Sequence, residues 1–285
     1  MERKLPTYEI AGIPFIVDVE YNLLRHPEQQ EIGYRFFQDM EDMDGRYRLK
    51  VDSKTLIPLT LSPAAEEILT VYVPYMVELD PEGVALKFSC PVSELPRSDL
   101  LLENNEELMY RRKIGKPAAM MILGEQFFVD TANGYMVAPG VGAQDWLNIN
   151  TMPLDPFGVS YRCLYDPAKK KEFTTAVDGV VPEGIIALEI PHIRFSDSYN
   201  YRRLFGSWIE PTEHEWFLRY PVRSNMEARV IPLEKMGYKR KAEGQAKGEE
   251  LAEKKREQEK PGQRTEGAKI APKAKGKSKG QGGIH

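Results

Sequence analysis

Cysteine is nearly missing from this chain of 285 residues: only Cys90 and Cys163 occur, far apart and outside any C-x-x-C spacing. Such a pair supports neither a disulfide framework nor a cysteine-based zinc site, and it suits a reducing, cytoplasmic setting. Long apolar runs are missing too. The longest, such as Gly12–Val19, are strand-sized, well short of the roughly eighteen residues a membrane span needs. The opening MERKLPTYEI carries charge with no apolar stretch behind it, so it does not read as a secretory signal. Histidine is sparse, and His26, His192, His214 and His285 show no paired-ligand spacing. Pro139-Gly140-Val141-Gly142-Ala143 lacks both the Lys-Ser/Thr of a phosphate loop and the third glycine of a dinucleotide fingerprint. There is no G-x-S-x-G elbow, and neither cysteine has a histidine beside it in the chain. No catalytic, cofactor or metal residue is assigned on these grounds, and the chain reads as non-enzymatic.

What is present is an ordinary apolar fraction of 41%, enough for a real core, and a lopsided charge distribution. Residues 239–285 hold fourteen Lys or Arg against seven Glu, leaving 25 basic and 36 acidic residues before them. The body is thus near −11 and the C-terminal segment near +7, a split hidden in the overall −4. No aromatic ring follows Tyr238, and residues 261–285 are dominated by Gly, Lys, Pro and Gln. Such a composition buries too little apolar surface to offset chain entropy, so 239–285 reads as a disordered, Lys-rich tail.

The body repeats itself. Ile10-Ala11-Gly12-Ile13-Pro14-Phe15-Ile16-Val17-Asp18 and Ile122-Leu123-Gly124-Glu125-Gln126-Phe127-Phe128-Val129-Asp130 share I-x-G-x-x-F-x-V-D at an offset of 112. Tyr47-Arg48 with Asp52 matches Tyr161-Arg162 with Asp166 at 114, and Val73-Pro74 with Asp80 and Phe88 matches Ile190-Pro191 with Asp197 and Phe205 at 117. Three collinear matches at a slowly growing offset point to duplication with small loop insertions. Within each copy, Gly12 or Gly124 suits a hairpin turn, Phe15, Val17 and Val19 alternate as one strand face, and Asp52 or Asp166 offers turn chemistry. Asp80-Pro81 opens a helix as N-cap and first helical residue, with Ser196 or Asp197 in that place later.

These readings predict an α+β chain of two tandem, pseudo-symmetric, β-rich domains, each with a short helix. The first spans 1–95, and a linker over 96–116 carries a helix near Leu100–Met109. The second domain spans 117–210. Residues 211–238 read as a C-terminal hairpin packed on the body, formed by Trp216–Val222 and Ala228–Leu233. The cluster Glu213-His214-Glu215 would then start a strand, where His214 points away from both carboxylates and cannot join them around an ion. The paired aspartates Asp18 and Asp130, or Asp80 and Asp197, recur at equivalent places, as structural residues do.

The basic tail supplies the only site residues: Lys239, Arg240, Lys241, Lys254, Lys255, Arg256, Lys273, Lys275, Lys277 and Lys279 suit sequence-independent phosphate contact. Without aromatic partners, base stacking is not on offer.

The opening Leu5-Pro6-Thr7, Ile10-Ala11-Gly12, Phe15 and Val17-Asp18, with Asp80-Pro81-Glu82-Gly83 further on, resembles a family of uncharacterised bacterial proteins over about residues 5–210. The resemblance implies a duplicated domain and carriage on mobile genetic elements, with no activity to transfer. The second copy departs from the cap pattern, with Asp197-Ser198-Tyr199-Asn200 in its place.

The leading expectation is a cytoplasmic adaptor whose body docks a protein partner, with β-augmentation at strand edges as the mode. The alternatives are an accessory factor that contacts nucleic acid through its tail, and an enzyme of unfamiliar type. The last would need a pocket gathering His192, Cys163 or acidic residues.

Overall fold

A computed structural model describes residues 3–240 apart from 64, 141, 143–145, 177 and 207–211. The glycines predicted to turn do so. Ala11 and Gly12 (φ 51° and 79°) join β1 (Thr7–Ile10) to β2 (Ile13–Asp18). Such paired positive φ values match the right-handed twist of the strands they connect. β3 (Leu23–Arg25) and β4 (Gly33–Arg35) extend the meander to a four-stranded sheet in chain order. A second sheet follows from β5 (Met40–Asp42), β6 (Tyr47–Asp52) and β7 (Ile68–Val73), with β6 central. At the end of β6 the Asp52 carboxylate accepts the amides of Lys54 and Thr55 at 2.9 and 2.8 Å, closing the predicted turn.

Two short helices close this stretch, α1 (Met76–Leu79) and α2 (Pro81–Phe88). Asp80 caps α2 by accepting the Gly83 amide at 3.0 Å, and Pro81 holds the first position, where no amide partner is needed. Glycine at 83 is a packing requirement. A β-carbon there would lie 2.2 Å from Asp80 Oδ2 and 2.6 Å from Val19 Cγ2.

The segment expected as a linker carries α3 (Glu106–Lys113), starting later than predicted because Asn105 is its N-cap, accepting the Leu108 amide at 3.1 Å. Arg112 on α3 is buried and donates to the carbonyls of Lys116, Pro117 and Arg223, tying α3 to the body.

β8 (Ala118–Ile122) and β9 (Glu125–Asp130) are joined by Leu123 and Gly124 at φ 51° and 80°. β10 (Tyr135–Val137) and β11 (Leu147–Asn148) complete the meander. β12 (Ser160–Asp166) pairs with β13 (Lys171–Glu172), and the Asp166 carboxylate accepts the amides of Ala168 and Lys169. The short β14 (Val180–Val181) precedes β15 (Ile186–Pro191), which pairs with β12. α4 (Ile193–Ser196) and α5 (Ser198–Phe205) follow. Asp197 stands at the N-cap of α5, but its carboxylate takes the Thr131 hydroxyl and the Asn200 side-chain amide instead of a helix N–H.

The C-terminal hairpin does not form. Residues 213–219 are α6 (Glu213–Arg219), nucleated by a capping box in which Thr212 and Glu215 bond reciprocally. Glu213, His214 and Glu215 therefore occupy a first helical turn, not a strand. β16 (Asn225–Glu227) then pairs in parallel with β8, and β17 (Arg229–Ile231) pairs antiparallel with β15, so each joins a different sheet. Lys239 and Arg240 form β18, parallel to β14. Those two residues end the body; they do not begin the tail.

Residues 1–240 cluster as one unit. One core is built on Phe15, Tyr34, Tyr47 and Phe88, another on Phe127, Trp216, Ile190 and Tyr220. The cores interlock: Tyr21 and Leu23 enter the second, and Leu218 from α6 enters the first. A smaller cluster around Val181, Ile185 and Leu233 lies beneath β14. Among the described residues no helix is long and apolar enough to cross a membrane.

Candidate functional site

The two central strand pairs have the same register, Tyr47 opposite Val73 in one and Tyr161 opposite Ile190 in the other. Their outer edges differ. On β15, β17 pairs Ile231, Val230 and Arg229 with Ala187, Leu188 and Glu189. Counting back from Val73 as from Ile190, those positions correspond to Thr70, Val71 and Tyr72 on β7, and no strand among the described residues pairs there.

The phase of the β6–β7 ladder decides which backbone groups face that edge. Ser53 N–H donates to Glu67 C=O at 2.9 Å, so Leu69, Val71 and Val73 bond to β6 while Ile68, Thr70 and Tyr72 aim outward. Consistently, the Tyr8 hydroxyl reaches the Tyr72 carbonyl from outside at 2.7 Å. Ile68 is 55% and Tyr72 46% exposed, and the Arg46 guanidinium lies 4.4 Å from the Tyr72 ring centroid. The strand reads Ile-Leu-Thr-Val-Tyr-Val, with no charge, proline or bulge to blunt the edge.

Asp18 lies in a cluster of buried charges drawn from both ends of the chain. Asp18, 1% exposed, is held by Arg25 Nε at 3.0 Å and Arg229 Nη1 at 2.9 Å. Burial acts to raise its carboxyl, but Arg229 and Arg25 together hold it below the usual carboxylate range. Arg25 also approaches Asp155 and Glu189 at 3.9 and 4.0 Å, and Arg162 reaches Glu189 at 3.5 Å. The Tyr21 ring sits beneath Arg25 and Arg229, at 5.1 and 5.0 Å, and burial drives its hydroxyl well above the ordinary value. Asp130, the sequence partner of Asp18, instead accepts from Asn133 in an exposed turn. Asp18 and Asp130 therefore occupy unlike settings, one buried between two arginines and the other in an exposed turn.

His192 and Cys163 do not converge. Burial, reinforced by Arg194, pushes the His192 imidazole down to about 3, and its Nδ1 accepts the Arg194 amide at 3.1 Å. The Cys163 thiol lies in the core, where burial raises it to about 12, a poor nucleophile. Among the described residues no group of three His, Cys, Asp or Glu could hold a metal ion. Of the predicted phosphate contacts, Lys239 and Arg240 lie in β18. Lys241, Lys254, Lys255, Arg256, Lys273, Lys275, Lys277 and Lys279 fall outside the described residues.

The sequence could not show that β7 is an edge, because pairing is decided by residues far away in the chain. No protein-family model matches the chain, and no curated protein or solved structure matches it either.

Proposed function

We propose that this chain is a non-enzymatic binding protein, built from two copies of one α+β unit, that receives an extended segment of a protein partner on β7. The observation that carries the reading is the contrast between two edges of equal register, β15 covered by β17 and β7 without a strand partner there among the described residues. Duplication is supported by the paired turns at Gly12 and Gly124 and by the matched pairings Val51–Pro58 and Tyr165–Glu172. Because β17 is the covering strand in one half, the occupant of the other is an antiparallel, β-branched segment of similar chemistry. Cys90 and Cys163 stand free, in keeping with a reducing compartment.

The probe is a synthetic peptide of residues 227–232 added to the full chain, read by amide hydrogen exchange. The expected result is protection of the Ile68, Thr70 and Tyr72 amides, abolished by Thr70→Pro at an unchanged unfolding midpoint. Thr70 N–H is no part of the β6 ladder, so proline there removes only the outward donor. Protection confined to other strands, or protection that survives Thr70→Pro, would refute the reading. Self-association protecting the same amides would assign the edge to a second copy of the chain.

A second reading, phosphate contact by the tail, is supported by the charge split of near −11 and +7.

A further inference from the structure

A cavity of about 220 Å³ opens where β4, the Phe157–Val159 turn, α4 and the end of α6 meet. In a body with an excess of acidic residues, its charged lining is entirely basic: Arg35, Arg194 and Arg219, with no Asp or Glu. The rings of Phe157 and Tyr220 and the His192 imidazole share the wall.

The three guanidinium groups differ in how they are satisfied. Arg35 is matched by Asp39, which takes Nε at 3.0 Å and Nη2 at 2.9 Å. Arg194 donates Nη2 to the Gly158 carbonyl at 2.6 Å and lies against the Phe195 and Tyr220 rings, but its buried Nε has no hydrogen-bond partner. Neither Arg194 nor Arg219 is ion-paired to a carboxylate among the described residues. Asn22 Nδ2 holds the Arg219 backbone carbonyl at 2.8 Å, so the end of α6 is fixed against the cavity. Arg194 and Arg219 thus both line a ring-walled space whose lining contains no carboxylate. Bracing the Gly158 turn accounts for one Arg194 donor and leaves its Nε unsatisfied, while Arg219, whose charge also acts on Glu215 one turn back, has no hydrogen-bonded carboxylate among the described residues.

We propose that this cavity binds a small aromatic acid, one ring carrying a carboxylate or a phosphate ester. A benzene ring fits an apolar cavity of about 150 Å³. The remainder, roughly two waters' worth at ~30 Å³ each, suits an oxyanion head. Phe157 and Tyr220 pack the ring, and Arg194 and Arg219 take the head through charge-assisted hydrogen bonds.

The test is calorimetric titration of the full chain with benzoate and with phenyl phosphate, using benzamide and inorganic phosphate as controls. One or both acids should bind saturably and more tightly than either control. Arg219→Gln should weaken binding about tenfold to a hundredfold, the range for losing one hydrogen bond to a charged group. Arg219→Lys, which keeps charge but loses the fork, should fall between. Absence of saturable binding by both acids up to ~10 mM overturns the proposal. So does benzamide binding as tightly as benzoate, inorganic phosphate as tightly as phenyl phosphate, or full affinity in Arg219→Gln. Thr70→Pro should leave this binding untouched, which separates it from the β7 edge.

Discussion

Lys87 offers the sharpest quantitative test of the packing. It lies on α2 with 1% of its surface exposed, and its Nζ donates to the Val19 carbonyl at 2.9 Å and to Asn22 Oδ1. Asn22 itself adopts φ 56°, a left-handed turn position that asparagine tolerates, and this aims its side-chain oxygen inward. Two acceptors satisfy the two N–H donors of a neutral amine, whereas an ammonium ion has three. No carboxylate forms an ion pair with Lys87 among the described residues. Burial dominates and draws the amine down from 10.5 to about 7.

The sign follows from proton counting. Between about pH 7 and 10.5 the unfolded chain carries a proton on Lys87 that the folded chain does not, so stability rises with pH across that window. Below about pH 7 both states are charged and the whole difference, about 5 kcal/mol, is lost. From about pH 7.5 to 9 the gain should be about 2 kcal/mol. Urea denaturation of the full chain at those two pH values reads it directly. Lys87→Met removes the titrating group, so subtracting its profile cancels contributions from the cysteines and tyrosines. Equal pH profiles for the two proteins, or a wild-type stability that falls over this window, would refute the assignment of a neutral, buried amine.

Two further outcomes follow from local geometry and charge. Gly83→Ala should destabilise by about 1–3 kcal/mol because its β-carbon overpacks Asp80 and Val19; the opposite sign, up to about 1 kcal/mol of stabilisation, would mean that helix propensity governs the site. Chemical denaturation distinguishes them. If the tail contacts phosphate, nucleic-acid binding by the full chain should weaken steeply with salt and disappear on truncation after Arg240. Ending the chain after Tyr238 instead would also delete β18 and its bond from Lys239 N–H to the Gly179 carbonyl at 2.8 Å. Binding that survives the Arg240 truncation would place the contact on the body.

Elements with local causes were legible. The turns at Gly12 and Gly124 need positive φ, the Asp52 and Asp166 turns need only amides two and three residues on, and Asp80-Pro81 caps a helix within one turn. The failures are one local and one long-range. Trp216-Phe217-Leu218 resembles a buried strand, and that apolar run outweighed the Thr212-x-x-Glu215 capping box that starts α6. The run can be a helix because its side chains serve different cores, Trp216 and Phe217 facing one and Leu218 the other. Expecting Ala228–Leu233 to fold back on its predecessor assumed that neighbours in sequence pair, whereas β16 and β17 pair with residues forty or more positions earlier.

By itself, then, the sequence determined the α+β character, the turn and cap chemistry, the scarcity of cysteine and histidine, and the charge split. Only the tertiary structure decided that β17 covers β15 while no described strand covers the outer edge of β7, that Lys87 is sealed from water, and that Arg194 and Arg219 line one cavity. The division is physical. Turns and caps are hydrogen-bonded within a few residues and leave their mark in short motifs. Edges, burial and cavities are set by which distant surfaces exclude water from one another, and no short stretch of chain encodes that.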